Sequence, residues 1–188
     1  RDADGQVIID TLNPAVTTGF VNGAFFEYEG IEGKANYSTG LDRFGLPGSL
    51  AFRGDLAYVR RRIVSSTGVN PQRSDGTLGD PQFAGQFAMQ YDQGTFGLGT
   101  VVNYTGEQLV SRFNRGPSPN DTREFDQYED FVVVDVNAFV RFADHFRLTG
   151  VVRNLFNRQG QEYFGDLIPD TINDALGRRY TLSLTAEF

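Results

Sequence analysis

One histidine, His145, is the only side chain among 188 residues whose unperturbed pKa lies near neutrality, so ordinary acid–base chemistry would fall to it. It stands beside Asp144 in a predicted two-residue turn, far from the long connections where a substrate would be met. The chain has no Cys, hence no thiolate nucleophile and no thiolate metal site. No G-x-S-x-G, H-E-x-x-H or P-loop spacing occurs. The expectation is that the chain is not an enzyme and holds no cofactor or metal; a hydrolase is the rival, with His145→Ala as its test. The residues best suited to recognition lie in the last long connection, where Glu162, Tyr163, Phe164, Asp166 and Asp170 combine aromatic faces with carboxylates. That set suits sugars or other polar organic ligands; the plainer reading is solvated loop decoration. Asp2-Ala3-Asp4-Gly5 resembles the start of a calcium loop, but Thr11 stands where its closing acid belongs, so a polar turn is expected. Asn36-Tyr37-Ser38, Asn103-Tyr104-Thr105 and Asn120-Asp121-Thr122 match glycosylation acceptors, two of them inside predicted strands, and read as chance.

Composition narrows the partners. A net charge of -7 and a sequence pI of about 4.7 argue against nucleic acid, which needs clustered Lys and Arg. The one basic cluster, Arg60-Arg61-Arg62, is expected to mark a solvated rim at a strand end. Hydrophobic residues make up 39% and aromatic ones 13% of the chain, and no run approaches the roughly 18 apolar residues of a membrane helix. Membrane contact, if any, would come through closed sheet.

The elements that would position these groups are strands. From Arg179 to Phe188 polar and apolar residues alternate without a break, placing Tyr180, Leu182, Leu184, Ala186 and Phe188 on one face. Such a final strand, ending in Phe, is typical of outer-membrane β-barrels. The same period recurs at about 19–41, 50–59, 83–91, 95–105, 131–142 and 146–154, which predicts about seven strands. Their polar positions, Arg53, Asp55, Gln86, Gln90, Asn103, Asp135, Asn137, Arg141, Arg147 and Arg153, would form the inner wall of a lumen, pairing mainly with one another. Connections alternate between short (Asp42–Gly48, Asp92–Gly94, Asp144–His145) and long (63–80, 111–129, 156–177), so one end of an up-and-down sheet would carry all the turns and the other all the loops. About seven strands cannot close a barrel, whose single-chain bacterial forms have eight or more. The chain is therefore expected to be one structural unit, 1–188, completed by upstream sequence or another chain.

Three motifs, in the right order and spacing, resemble the C-terminal barrel wall of TonB-dependent outer-membrane receptors: Tyr28-Glu29-Gly30-Ile31-Glu32, Val152-Arg153-Asn154-Leu155-Phe156-Asn157, and Gly177-Arg178-Arg179-Tyr180 leading to Phe188. Asn157 departs from the Asp common in the family, and Gly33 from a larger strand residue. The resemblance implies an all-β, antiparallel up-and-down transmembrane barrel of 22 strands, of which this chain is about the last seven, with the plug domain and earlier strands absent. It further implies active transport of a scarce ligand (a siderophore, vitamin, oligosaccharide or peptide) energised by the TonB complex through that plug. Implied partners are outer-membrane lipid, the rest of the barrel and plug, and the barrel-assembly machinery, for which Tyr180 and Phe188 would be part of the signal. The long loops would be extracellular and the C-terminus periplasmic in a Gram-negative outer membrane. A barrel segment serving as a docking or structural partner in an outer-membrane assembly is the alternative.

Overall fold

The structure, a computed structural model, describes residues 24–68, 70–110, 112, 126–143, 145–160, 174 and 176–186. The described residues form an antiparallel all-β arrangement. Its strands are β1 (Phe25–Gly40), β2 (Ser49–Ser65), β3 (Gln72–Arg73), β4 (Phe83–Asp92), β5 (Phe96–Thr105), β6 (Gln108–Leu109), β7 (Gln127–Tyr128), β8 (Phe131–Phe142), β9 (Phe146–Arg153) and β10 (Arg179–Ala186). The main sheet runs β1-β2-β4-β5-β8-β9-β10, each long strand paired with its neighbour in sequence, and β3 pairs onto β2. Among the described residues β1 and β10 are its two edges.

Register carries the alternation of each strand into one sheet-wide pattern. Tyr37 pairs with Phe52, Phe52 with Met89, Met89 with Thr100, Thr100 with Val136, Val136 with Val152 and Val152 with Tyr180. Neighbouring rungs of the same parity add Ile31–Tyr58, Gly54–Phe87, Val102–Val134, Val140–Leu148 and Leu184–Leu148 to that face. Because side chains of successive strand residues point to opposite sides, the intervening rungs collect the polar residues on the other face.

No second layer covers the sheet among the described residues. Among the described residues only Tyr128 and Phe139 are buried hydrophobics, whereas Ile31 is 72% and Leu182 74% exposed. Burying such a side chain is worth about 1.5–3 kcal/mol, and soluble monomers rarely expose an apolar patch beyond a few hundred Å². This face has no core of its own among the described residues.

The apolar face is banded by aromatics near both ends. Phe83 and Tyr104 meet edge-on with centroids 5.6 Å apart near the long connections, and Tyr91 and Phe96 lie 6.1 Å apart near the short turns. Phe83 to Tyr91 and Phe96 to Tyr104 are each eight residues apart, or ~26 Å of strand, which at the roughly 35–45° tilt of outer-membrane barrel strands spans ~20 Å of an apolar band about 25 Å tall.

Three differences from the sequence expectations have local causes. β2 runs through Ser65, so Arg60, Arg61 and Arg62 lie inside a strand rather than at its end. Opposite Glu29 and Gly30 of β1, which pair with Arg61 and Val59, Arg60 is an extra residue that bulges β2, and this phase slip hides the continuation of β2 from a two-residue pattern. Arg60 and Arg61 pair with Glu29 and Glu27 at 2.5 and 3.3 Å, and Arg62 with Asp80, so the cluster is neutralised by neighbours. The second long connection also carries a two-residue ribbon at its base, β6 with β7. Leu41, expected to end the first strand, precedes a 3-10 turn at Asp42–Phe44, and residues 19–23 of that predicted strand lie outside the described residues.

Candidate functional site

The polar face gathers the residues expected to line an inner wall. Asp55 pairs with Gln86 and Gln86 with Asn103; Ala51 pairs with Gln90, Gly99 with Asn137, Val101 with Asp135, and Arg141 with Arg147. Arg153 sits opposite Arg179. Contacts within this face are short and local. Arg53 Nε donates to Asp55 Oδ2 at 2.8 Å, two residues along its own strand, and Gln86 Nε2 donates to Asn103 Oδ1 at 2.7 Å. Gly99 lies between Gln90 and Asn137, and a Cβ there would collide with both amides, so its missing side chain lets the two reach across the sheet.

Phe139 was not expected on this face. It is 5% exposed, lies over Gly97 on β5, and carries the guanidinium of Arg147 3.9 Å and that of Arg141 5.0 Å from its ring centroid. A Cβ on Gly97 would overlap the ring. The signal available in the sequence was a glycine placed to face an aromatic across neighbouring strands, but it needs the register first. The polar face is also not uniformly polar, since Val101, Val133 and Val151 share it.

At the end carrying the long connections, β9 finishes in a capped exit. Asn154 has φ 52 and is fully buried; its Nδ2 donates to the Arg158 carbonyl at 2.7 Å, and its Oδ1 accepts from Arg158 N at 2.8 Å. Asn is one of the few residues that takes left-handed backbone at small cost. Asp135 Oδ1 accepts from Asn154 N at 2.8 Å, and Asp174 ties the same point to Arg179 at 3.0 Å. Asp135, expected as a wall residue, thus anchors the exit of the neighbouring strand.

A second cluster holds the first long connection. Asp75 is fully buried and accepts from Arg73 Nε at 2.8 Å, Arg112 at 2.6 Å, Arg62 N at 3.0 Å and Gln82 Nε2 at 3.1 Å. Burial alone would raise its pKa; the hydrogen bonds from Arg73 and the Arg62 amide, with the charges of Arg112 and Arg73, outweigh it and hold the carboxyl at about 2. Arg73 is correspondingly held above the usual arginine value by its bond to Asp75. The sequence places Asp75 in the long connection 63–80, but does not give its partner 37 residues away, Arg112.

The candidate ligand residues Glu162, Tyr163, Phe164, Asp166 and Asp170 lie outside the described residues, as does Phe188. Tyr180 is on the apolar face opposite Val152, and Arg178 reaches its hydroxyl at 3.4 Å. His145 closes the turn between β8 and β9, its amide donating to the Ala143 carbonyl at 2.7 Å. Among the described residues no group of three His, Cys, Asp or Glu is placed to hold a metal ion, and no helix is long and apolar enough to cross a membrane. Compared with known proteins, the chain matches no family model, no curated protein and no solved structure.

Proposed function

We propose that this chain is part of the wall of a TonB-dependent receptor barrel in a Gram-negative outer membrane, where it helps to take up a scarce ligand with energy from the inner-membrane TonB complex. The observation that carries the membrane half of this reading is the bare apolar face, flanked near both strand ends by aromatics, on strands whose other face is polar. A soluble protein would leave that face in water, whereas lipid covers it without further chain.

The transport half rests on the motif resemblance, with the capped β9 exit at Asn154 giving one of those motifs a structural role. In this reading the short turns are periplasmic, the long connections extracellular, and the polar face looks into a lumen occupied by a plug and water. Arg53, Asp55, Gln86 and Asn103 bond among themselves, which suits a wall that guides more than it grips. Ligand recognition then falls to the outer connections, including the aromatic and acidic residues 162–170.

Uptake by cells provides the test. Accumulation of a labelled siderophore, vitamin, oligosaccharide or peptide should require both this protein and a working TonB complex. Accumulation that survives loss of TonB would defeat the transport reading and favour a docking or structural role.

A further inference from the structure

We infer that the first and second long connections are clasped into one body that opens as a unit. Residues 74–80 of the first and 108–112 of the second lie far apart in the chain and outside the main sheet, yet they meet at two points. The first point is mostly main chain. Leu109 N donates to the Gly76 carbonyl at 2.7 Å and Leu78 N to the Leu109 carbonyl at 3.1 Å, while the Gly79 amide donates to Oε1 of the buried Gln108 at 2.8 Å. Gly76 supplies the left-handed backbone, φ 75, on which this turn depends. The second point is Asp75. Arg112 reaches it twice, with Nε on the main-chain carbonyl at 2.8 Å and Nη2 on carboxylate Oδ2 at 2.6 Å. The same buried carboxylate accepts from Arg62 N on β2, from Arg73 on β3 and from Gln82 just ahead of β4. One side chain thereby ties the foot of the second connection to both ends of the first.

Neither side has another footing of this kind. β6 and β7 are two residues each, and a two-stranded ribbon so short does not persist by itself. Among the described residues, every hydrogen bond from residues 108–112 that leaves the second connection ends on residues 75–79. Undocking one connection therefore strips the other of its support. Coupling of this sort is reciprocal, so whatever loosens one connection loosens the other to the same extent. A partner that seizes either of them acts on both. The clasp is independent of the transport reading, since it joins the connections whatever they bind.

Hydrogen exchange of the full-length protein in detergent, followed as urea rises, tests it without any substitution. Amides that open together share one opening free energy and one denaturant dependence. Thr77 and Asp80 donate within the first connection, to the carbonyls of Ser74 and Thr77, and Val110 donates within the second, to the carbonyl of Asp126. None of these bonds crosses between the connections, so their isotherms merge only if the two open as one. They should merge, at urea concentrations where amides of β4 and β5 are still protected. Two substitutions, one on each side, give a second reading. Arg112→Gln should speed exchange at Thr77 and Asp80, and Asp75→Asn at Val110, by about tenfold to a hundredfold, as expected for bonds lost from a charged group. Protection of β4 and β5 should stay as it was. Separate isotherms for the two connections, or a substitution that loosens only the connection carrying it, overturns the clasp and leaves the proposed function untouched. For a variant that fails to fold, the isotherms of the unsubstituted protein decide.

Discussion

Gly97 and Phe139 face each other across β5 and β8, and the glycine is what lets the phenylalanine ring lie flat on the polar side of the sheet beneath Arg141 and Arg147. The pair explains how an apolar residue comes to be the best buried ring of the main sheet on the face otherwise given to charge. Its two arginines cover it, their guanidiniums turned to the ring face.

Gly97→Ala should therefore be costly although both residues are small. Displacing the Phe139 ring is expected to destabilise the folded protein by about 1–3 kcal/mol, read as a lowered urea midpoint in detergent. Phe139→Leu in the Gly97→Ala background should recover part of the loss, because the clash is with the ring.

Asp75 makes stability depend on acid. Its folded pKa of about 2 lies below the ordinary carboxylate value, so its contribution is complete above about pH 4 and is lost as pH falls through about 2. The contribution is on the order of 2 kcal/mol. Proteolysis of the Ser66–Gln82 connection by an acid-active protease should accelerate over that window. Asp75→Asn should remove the pH dependence and expose the connection at neutral pH, leaving Arg73 and Arg112 without their shared anion.

Asn154 supplies a test of the strand exit. Asn154→Gly keeps the backbone free to hold φ 52 but loses the bonds to Arg158, whereas Asn154→Ala loses the bonds and strains the backbone. Each is expected to destabilise by about 1–3 kcal/mol for the lost side-chain bonds, with Ala worse than Gly by ~1 kcal/mol. Thermal unfolding of the two variants in the same detergent gives the order.

The two-residue period was enough to locate the seven long strands of the described sheet, because each keeps apolar residues on one parity over at least part of its length. It failed where the phase changes or the partner is remote. The bulge at Arg60 turned a continuing strand into apparent loop. Gln108 and Tyr128, which begin and end the β6–β7 ribbon, are 20 residues apart and too brief to show a period. The residues expected in the wall share one parity across the sheet, but their bonds do not follow from it: Asp135 turns to Asn154 N, and Gln90 Nε2 to the Tyr91 carbonyl at 3.1 Å. Such choices depend on neighbours in space that spacing in sequence does not give.

Charge tolerance should differ between the two faces. Val102→Arg, at mid-strand on the apolar face, is expected to destabilise by about 2–4 kcal/mol in a bilayer. Val101→Arg, one residue away beside Asp135, should be tolerated or nearly so. Folding yield into vesicles compares them directly.

The most direct test of the membrane wall uses the absence of cysteine. Single cysteines placed in turn from Gly99 to Thr105 on β5, each carrying a spin label, report oxygen and nickel-chelate collision rates in reconstituted vesicles. The account predicts that oxygen accessibility peaks at Thr100, Val102 and Tyr104 while the nickel chelate favours Val101 and Asn103, alternating with period two. A flat profile, or the chelate reaching Val102 as readily as Asn103, would contradict a lipid-facing apolar side and with it the proposed place of this chain in an outer membrane.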